Sequence, residues 1–300
     1  MRTLTTLDEL RLELDAARLS GRSIGLVPTM GALHEGHLSL IDHSVAENGF
    51  TVVTVFVNPT QFRPGEDLDA YPRQFERDVA LASERGADLL FAPSVEEVYP
   101  AGFATSVAVT GVTETLCGAP ERRGHEHFDG VTTVVAKLFN MVQADRSYFG
   151  QKDAQQVAVI RRMARDLNFR TQVIACPTVR EADGLALSSR NAYLTAEERP
   201  RALALSKALR AAAAAVADGE SDVAAIASGA LQILEQTDAV EYFELVDPDS
   251  LEPLSSVDGP ALAVVAARVG RTRLIDNMLL QAQTQSTNPN PAPAAQPAGA

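Results

Sequence analysis

The sequence predicts an α/β protein, with a doubly wound parallel sheet in the first half of the chain and a smaller α+β domain after it. Short apolar strands alternate with amphipathic helices from residue 7 to about residue 175, as in right-handed βαβ units. Residues 51–57, TVVTVFV, form a nearly continuous β-branched run, which is typical of a parallel strand buried on both faces. From residue 240, three apolar segments follow one another without helices between them, which indicates an antiparallel sheet.

Helices are predicted where apolar residues recur every three or four positions. They fall at residues 7–19, 36–47, 73–86, 131–142, 153–167, 200–217 and 222–236. The first helix has Leu7, Leu10, Leu14 and Ala17 on one side. In the second we expect burial of Leu38, Leu40, Ile41 and Val45.

Strands are predicted at residues 24–27, 51–57, 88–92, 105–109, 146–149, 170–175, 240–246, 262–269 and 272–280. Pro28 should end the first of them, because proline has no N–H to donate to a ladder. Two polar loops, 58–72 and 111–130, separate these elements. A loop as long as 111–130 is usually functional in a compact domain, and we interpret it as a candidate lid.

The character of the chain changes after Pro177, where alternating strands and helices give way to alanine-rich helices and consecutive strands. We therefore predict domains at residues 1–177 and 178–282. Residues 283–300 are rich in Pro, Gln and Ala and lack apolar periodicity, which predicts a disordered tail.

Composition limits the kinds of partner. The 26 basic and 39 acidic residues give a formal net charge of −13, so the surface should repel phosphate backbones and nucleic acid is not expected as a partner. Cys117 and Cys176 are the only cysteines and lie far apart, which indicates neither a disulfide framework nor a zinc site. No apolar run approaches the length of a membrane span and no signal-peptide core is present, so we expect a cytoplasmic protein without membrane contact.

The stretch 24–37, IGLVPTMGALHEGH, combines a buried strand, a glycine-bearing turn and the start of a helix. Such a turn leaves backbone N–H groups free at the helix N-terminus, where anions bind. His34 and His37 are three positions apart, so both rings should face the same anion. The alternative is a pair of surface or helix-capping histidines.

Two further clusters favour phosphate binding. In YFGQKDAQQ, residues 148–156, Gly150 permits close backbone approach and Lys152 lies at a helix start, while Asp153 suits a helix cap or ribose hydroxyls. In LSSRN, residues 187–191, two hydroxyls precede an arginine whose planar fork matches phosphate oxygens. The alternatives are a capped helix with a solvated lysine and an ordinary polar turn.

HEGH resembles the HIGH signature of nucleotidyl-transferring α/β enzymes with a Rossmann-like sheet. The longer strings PTMGALHEGH, VFVNPTQF, HFDGV, FGQKDAQQ, TVREADGLALSSRN and TRLIDN resemble, in the same order, those of the pantothenate synthetase family (pantoate–β-alanine ligases). LSSRN stands where that family has its KMSKS-like loop. The resemblance covers almost the whole chain except the tail.

The resemblance implies a set of site residues. Around ATP it places Met30, Gly31, Ala32, Leu33, His34, Glu35, Gly36, His37, Gly150, Gln151, Lys152, Asp153, Val179, Leu187, Ser188, Ser189 and Arg190. Around pantoate and β-alanine it places Gln61, Gln156, Asn58, Tyr71 and His127. Asp78 matches a family position associated with Mg²⁺, although Arg77 and Leu81 replace neighbouring ligands, so the metal is expected to be held by ATP oxygens and water. Gln151 and Leu187 replace the Glu and Met common in the family.

The resemblance also implies a reaction and an assembly. Pantoate would attack the α-phosphorus of ATP, and β-alanine would then displace AMP from pantoyl-adenylate. His34 and His37 would donate to phosphate oxygens, with His37 as proton donor, while Lys152 and Arg190 would hold pyrophosphate. A homodimer is the assembly implied. Two other functions stay open: an adenylyltransferase acting on a phosphate ester, and a non-catalytic ATP-binding regulator.

Overall fold

A six-stranded sheet forms the centre of the first half of the chain. The computed structural model describes residues 1–62, 68, 71–122 and 124–281. The six strands are β1 (Arg2–Leu4), β2 (Ile24–Thr29), β3 (Phe50–Val55), β4 (Leu89–Phe91), β5 (Arg146–Gly150) and β6 (Gln172–Cys176). Their spatial order is β1-β4-β3-β2-β5-β6, and every pairing is parallel. The predicted doubly wound parallel sheet is confirmed.

Among the described residues, six helices connect and cover these strands, and two more precede a second sheet. They are α1 (Leu7–Leu19), α2 (Glu35–Glu47), α3 (Phe75–Glu84), α4 (Val95–Val98), α5 (Glu126–Val142), α6 (Ala154–Asp166), α7 (Glu198–Ala217) and α8 (Val223–Leu234). Strands β7 (Ala239–Val246), β8 (Ala261–Val269) and β9 (Thr272–Leu280) then form the predicted antiparallel sheet in the order β7-β8-β9. Within the described part of the chain, no helix has the length and apolar character to traverse a bilayer.

The parallel sheet is buried on both faces. Leu26 and Val52 belong to the apolar cluster shared with α1, α5 and α6, while the next residues along, Val27 and Val53, belong to the cluster on the α2 side. This alternation explains why β2 and β3 are apolar at nearly every position. The antiparallel sheet is covered by α7 and α8 on one face and packs on α6 with the other. The boundary at residue 177 stays a prediction, and the tail at 283–300 lies outside the described residues.

Several predicted elements differ from the structure. Pro28 does not end β2, which continues to Thr29. The carbonyl of Thr29 points toward β3, where it accepts the N–H of Phe56. Backbone groups of successive strand residues point to opposite edges, so those of Pro28 point toward β5, where the ladder already ends at Leu26. Its missing N–H therefore interrupts nothing. Strand β1 was not predicted, since three residues at a sheet edge carry no readable alternation.

The predicted strand at 105–109 is wrong. The Val107 N–H donates to Thr133 Oγ1 at 3.0 Å, and its carbonyl accepts from the hydroxyl of Thr132, so helix α5 replaces a neighbouring strand as the partner. Helix α5 itself begins at Glu126 and not at residue 131, which shortens the predicted 111–130 loop. On α2, Val45 is exposed, and Ser44 occupies the buried position.

Candidate active site

A cleft of about 290 Å³ opens at the carboxyl ends of β2 and β5. From β2 the chain builds the sheet outward through β3 and β4 on one side, and later through β5 and β6 on the other. The carboxyl ends of β2 and β5 therefore form a topological switch point, the place where parallel α/β sheets bind ligands. The strand order alone puts the turn after β2 opposite the turn after β5.

The turn after β2 is held by a buried carboxylate. Gly31 and Ala32 have φ values of 84° and 52°, so two successive residues adopt the left-handed region. The N–H groups of Ala32 and Leu33 then point at Asp78 on α3, with N–O distances of 2.9 and 2.7 Å. Asp78 is 1% exposed. Both carboxylate oxygens are occupied by backbone donors, so the geometry supports a role in shaping the turn.

His34 and His37 cap helix α2 and also face the cleft. His34 Nδ1 accepts the N–H of Gly36 at 3.1 Å, and His37 Nδ1 accepts the N–H of His34 at 3.4 Å. The ring centroids are 4.1 Å apart, as expected for a shared face. These two backbone N–H groups are therefore not free, contrary to the sequence prediction. Capping and facing the cleft, presented above as alternatives, occur together.

Accepting at Nδ1 selects the tautomer of each ring. A ring nitrogen that accepts a hydrogen bond carries no proton, so the neutral imidazoles carry theirs on Nε2. Burial, followed by the nearby charge of His34, lowers the pKa of His37 to about 3. Burial and then Lys152 lower the pKa of His34 as well. Near neutral pH the cleft thus presents two uncharged Nε2–H donors in place of the helix N–H groups.

Gln61 is positioned by residues behind the cleft. It ends a 3-10 turn, Pro59–Gln61, whose preceding residue Asn58 is 1% exposed. Asn58 Nδ2 donates to Gln61 Oε1 at 3.2 Å and to the carbonyl of Gly130 at 3.1 Å. A Cβ added to Gly130 would lie 2.7 Å from the Gln61 Cα, so α5 approaches this turn at a distance that only glycine permits.

The turn after β5 supplies the opposite wall. Residues Gln151–Asp153 form a 3-10 turn before α6, and Lys152 and Gln156 face the cleft from it and from the first turn of the helix. Lys152 Nζ lies 3.8 Å from Asp153 Oδ1. Asp153 stands at the N-cap position of α6 without a side-chain capping bond, so its carboxylate is available to the cleft.

The LSSRN segment, residues 187–191, forms a third wall of the cleft. Leu187 N–H donates to the carbonyl of Val179 at 2.9 Å, which pairs the arms of a hairpin and brings Ser188 to the cleft. Ser188 Oγ accepts the N–H of Arg190 at 3.3 Å and starts the 3-10 helix Ser189–Tyr193. Arg190 also lines the cleft.

Most residues named from the sequence meet in this cleft. Those that line it are Met30, His34, Gly36, His37, Gln61, Tyr71, His127, Gly150, Lys152, Asp153, Gln156, Val179, Leu187, Ser188, Ser189 and Arg190. The others support it from behind or face away, namely Gly31, Ala32, Leu33, Glu35, Asn58, Asp78 and Gln151. Glu35, for example, is exposed and pairs with Arg85 at 2.9 Å.

The sequence argument missed part of the lining, namely the aromatic residues Phe62, Phe149 and Tyr193 and the polar residue Thr178. Phe62 directly follows Gln61, and that adjacency was the one available signal. The other three resemble ordinary core or turn residues until the fold places them at the cleft.

A protein-held metal site does not fit the residues that are described. Across residues 1–62, 68, 71–122 and 124–281, no group of three or more His, Cys, Asp or Glu side chains is placed to hold an ion. Asp78, the residue predicted for Mg²⁺, already accepts two backbone N–H groups. A contact between Asp78 and Mg²⁺ therefore stays a prediction.

The fold and the cleft define an α/β protein with a polar cleft at the switch point of a parallel sheet. A family profile described as pantoate–β-alanine ligase matches residues 2–279. The chain belongs to that family, and it is a ligase of pantothenate biosynthesis.

Relatives and solved structures agree with the family. A pantothenate synthetase of Acetivibrio thermocellus is 50% identical over 283 residues, which are 94% of this chain and 100% of the relative. Pantothenate synthetase 1 of Bradyrhizobium diazoefficiens is 54% identical over 281 residues, 93% of this chain and 98% of its own. The crystal structure of the Thermus thermophilus enzyme superposes with a TM-score of 0.86 at 50% identity and covers 93% of this chain and 99% of its own.

A Francisella tularensis pantoate–β-alanine ligase, described as a complex with β-γ ATP and β-alanine, has a TM-score of 0.75 at 32% identity. It covers 93% of this chain and 97% of its own. The same architecture therefore occurs in a relative that holds a nucleotide and an amino acid.

Proposed function

We propose that the protein condenses pantoate with β-alanine in an ATP-dependent reaction that passes through pantoyl-adenylate and releases AMP and pyrophosphate. Membership of the ligase family and the nucleotide and β-alanine in the Francisella relative support the substrates. One observation carries the nucleotide site: donors from three separate segments, at His34 and His37, at Lys152 and at Ser188–Arg190, line a single cleft.

In the first step, a carboxylate oxygen of pantoate attacks the α-phosphorus of ATP. The bond from that phosphorus to the bridging oxygen breaks, and pyrophosphate leaves. Lys152 and Arg190 hold the departing charge, and Ser188 and Ser189 donate hydroxyls to it. His37, with a pKa of about 3, is neutral at physiological pH and donates a hydrogen bond from Nε2 without transferring a proton.

In the second step, the amine of β-alanine attacks the acyl carbon of the adenylate. The bond from the acyl carbon to the phosphate oxygen breaks, AMP leaves, and the nitrogen loses a proton to water. Neither step needs a protein nucleophile, so the contribution of the protein is positioning and charge stabilisation.

The proposed acceptor site contains amides. Gln61 and Gln156 line the cleft, and an amide both donates to a carboxylate and accepts from a hydroxyl. Gln61 Nε2 lies 2.8 Å from Met30 Sδ, and its Oε1 accepts from Asn58 Nδ2 at 3.2 Å, so both ends of the amide are held. An acceptor with a carboxylate and hydroxyls suits this chemistry better than a phosphate ester does.

The remaining parts of the proposal concern Mg²⁺, assembly and location. Mg²⁺ would arrive as the counter-ion of the nucleotide, held by phosphate oxygens and water, since the described residues form no cluster for it. A homodimer is the assembly that the family resemblance implies, and a cytoplasmic location is the one expected from the sequence. Sedimentation equilibrium of the purified chain tests the dimer, and a single species of monomer mass would contradict it.

Mass spectrometry of the products tests the function. Incubation with ATP, Mg²⁺, pantoate and β-alanine should yield pantothenate, AMP and pyrophosphate in equal amounts. Omission of β-alanine should leave enzyme-bound pantoyl-adenylate and one pyrophosphate per site. Release of ADP and phosphate, or pantothenate formed without AMP, would contradict the adenylate route.

A further inference from the structure

Two adjacent residues, Asp276 and Asn277, connect strand β9 to both walls of the cleft. They belong to the string TRLIDN, to which the sequence assigned no function. Both are polar, and both are almost fully buried, at 4% and 5% exposure. Buried polar side chains need hydrogen-bonding partners, and these two find theirs in segments that face the cleft.

Asn277 holds the turn that carries Lys152. Its Nδ2 donates to the backbone carbonyls of Gln151 and Lys152, both at 2.9 Å. Its Oδ1 accepts from Gln151 Nε2 at 3.4 Å. The 3-10 turn after β5 is therefore tied through its main chain, at the residue whose ammonium enters the cleft.

Asp276 holds the hairpin that leads to Ser188. Its two oxygens accept from Arg180 Nη1 and Nη2 at 2.7 and 2.9 Å, a two-pronged ion pair whose carboxylate side chain is 2% exposed. Arg180 faces Ala186 across an antiparallel bridge at the base of this hairpin. Arg180 also donates to the carbonyl of Gly184 at 3.2 Å, which stiffens the loop.

The contacts of Asp276 and Asn277 are coupled because both residues lie on the same strand. Successive side chains of a strand point to opposite faces, so β9 stands between the Lys152 turn on one face and the hairpin on the other. Consistent with this, Ile275 packs against the α6 side and Leu274 against the α7 side. The spacing between the two walls therefore depends on one rigid strand.

We propose that Asp276 and Asn277 are positioning residues that set the distance between Lys152 and the Ser188–Arg190 segment, and so the fit of the triphosphate. The inference rests on the proposed function of that cleft. The inference predicts that substitution of either residue slows adenylation more than the reaction of pantoyl-adenylate with β-alanine, because only adenylation uses the triphosphate. A misplacement of about 1 Å reduces a rate on the order of 10²-fold.

The test compares Asn277→Ala, Asn277→Asp and Asp276→Asn with Leu280→Ala. Asn277→Asp keeps the size of the side chain but places oxygens opposite two carbonyls. Leu280 is 1% exposed on the same strand and packs in the apolar cluster with α7 and α8, so its truncation lowers stability without touching either wall. Each protein is measured for pyrophosphate release with ATP and pantoate, and for the reaction of synthetic pantoyl-adenylate with β-alanine.

We expect the three polar variants to lose adenylation about 10²-fold while the reaction with pantoyl-adenylate stays within a factor of about two. Leu280→Ala should lower the melting temperature and leave the ratio of the two rates unchanged. An equal fall in both half-reactions, or the same selectivity in Leu280→Ala, would overturn the inference.

The dissociation constant of ATP, measured by calorimetry, separates this inference from the proposed function. Wild-type protein that binds ATP but releases no pyrophosphate would refute the function alone. The positioning role would then be decided by ATP affinity, which should weaken about tenfold in Asn277→Ala and stay unchanged in Leu280→Ala. Equal ATP affinity in all variants would overturn the role.

Discussion

The carboxylate of Asp78 accepts the backbone N–H of Leu33 at 2.7 Å, across 45 positions of sequence. Its other oxygen accepts the N–H of Ala32, so one buried side chain of α3 shapes the turn that carries both cleft histidines. A carboxylate is suited to this position because it offers acceptors only. An asparagine at this position would place its Nδ2–H donors opposite one of these two backbone N–H groups.

Asp78→Asn should therefore destabilise the protein and weaken adenylation. Leaving one buried N–H without an acceptor costs about 1–3 kcal/mol. Denaturant unfolding and pyrophosphate release measure the two effects. The control is Asp42→Asn, which removes an exposed carboxylate that pairs with Arg85 and should change little. Recovery of the Asp78 variant at high Mg²⁺ would point to metal binding and contradict the positioning role.

Protonation of His37 should make stability fall in acid. Its pKa in the folded protein is about 3, against an ordinary value of 6.5, so the unfolded chain binds more protons between these values. The stabilisation from the neutral ring is complete above about pH 6.5 and is lost as pH falls toward 3. Urea unfolding across this range should show a shallower decline for His37→Gln. Identical declines would contradict the buried neutral ring.

Gly36→Ala should reduce activity without reducing stability. A Cβ at Gly36 would lie 2.8 Å from His34 Cε1 and 3.0 Å from His34 Nδ1, so the imidazole must move and its capping bond is lost. Alanine favours helix by about 1 kcal/mol over glycine, which offsets the lost cap. The control is Gly229→Ala in α8, where an added Cβ would meet no atom within 4 Å beyond the neighbouring backbone of its own helix, so only stability should rise. Full adenylation by Gly36→Ala would refute a role for the His34 ring.

Lys152→Ala should slow adenylation about 10²–10³-fold, the loss typical of one preorganised charge-stabilising donor. His37→Ala should act on the same step and to a similar extent. Single-turnover pyrophosphate release gives the rate. Lys207→Ala removes an equal charge from the exposed face of α7 and should have no effect. Near-normal release by Lys152→Ala would remove this residue from the proposed mechanism.

Gly130→Ala should raise the KM for pantoate more than the KM for ATP. The added Cβ would press on Gln61, whose Cα would be 2.7 Å away, and displace the proposed acceptor amide. Steady-state kinetics with each substrate varied in turn separate the two constants. An unchanged KM for pantoate would show that the Pro59–Gln61 turn is not part of the acceptor site.

The sequence predicted the fold correctly where the secondary structure of a segment is determined by residues that are close in sequence. Helix α1 and strand β9 have the predicted bounds, because apolar period and flanking breakers are local. It failed at 105–109, where an apolar segment finds its hydrogen-bond partners in hydroxyls of α5. A strand pattern states what a segment favours, and only the neighbours decide what it pairs with.

The candidate site divides in the same way. His34, His37, Lys152 and Arg190 were identifiable because charged and imidazole groups beside glycine turns are visible in a sequence. Asp276 and Asn277 had no assigned role, and Asp78 was named only as a family position associated with Mg²⁺. Each contacts a segment that is distant in sequence, Asp78 and Asn277 through its backbone groups and Asp276 through the guanidinium of Arg180. No local pattern records these contacts.

By itself, the sequence predicted the α/β class and indicated the three donor segments, and its family resemblance suggested the substrate chemistry. The tertiary structure decided that these segments share one cleft, that both histidines are neutral Nε2–H donors, and which buried side chains hold the turns. The physical reason is the distance along the sequence over which each effect acts. Propensity and periodicity act over a few residues, whereas tautomer, burial and the partner of a buried carboxylate depend on groups that only folding brings together.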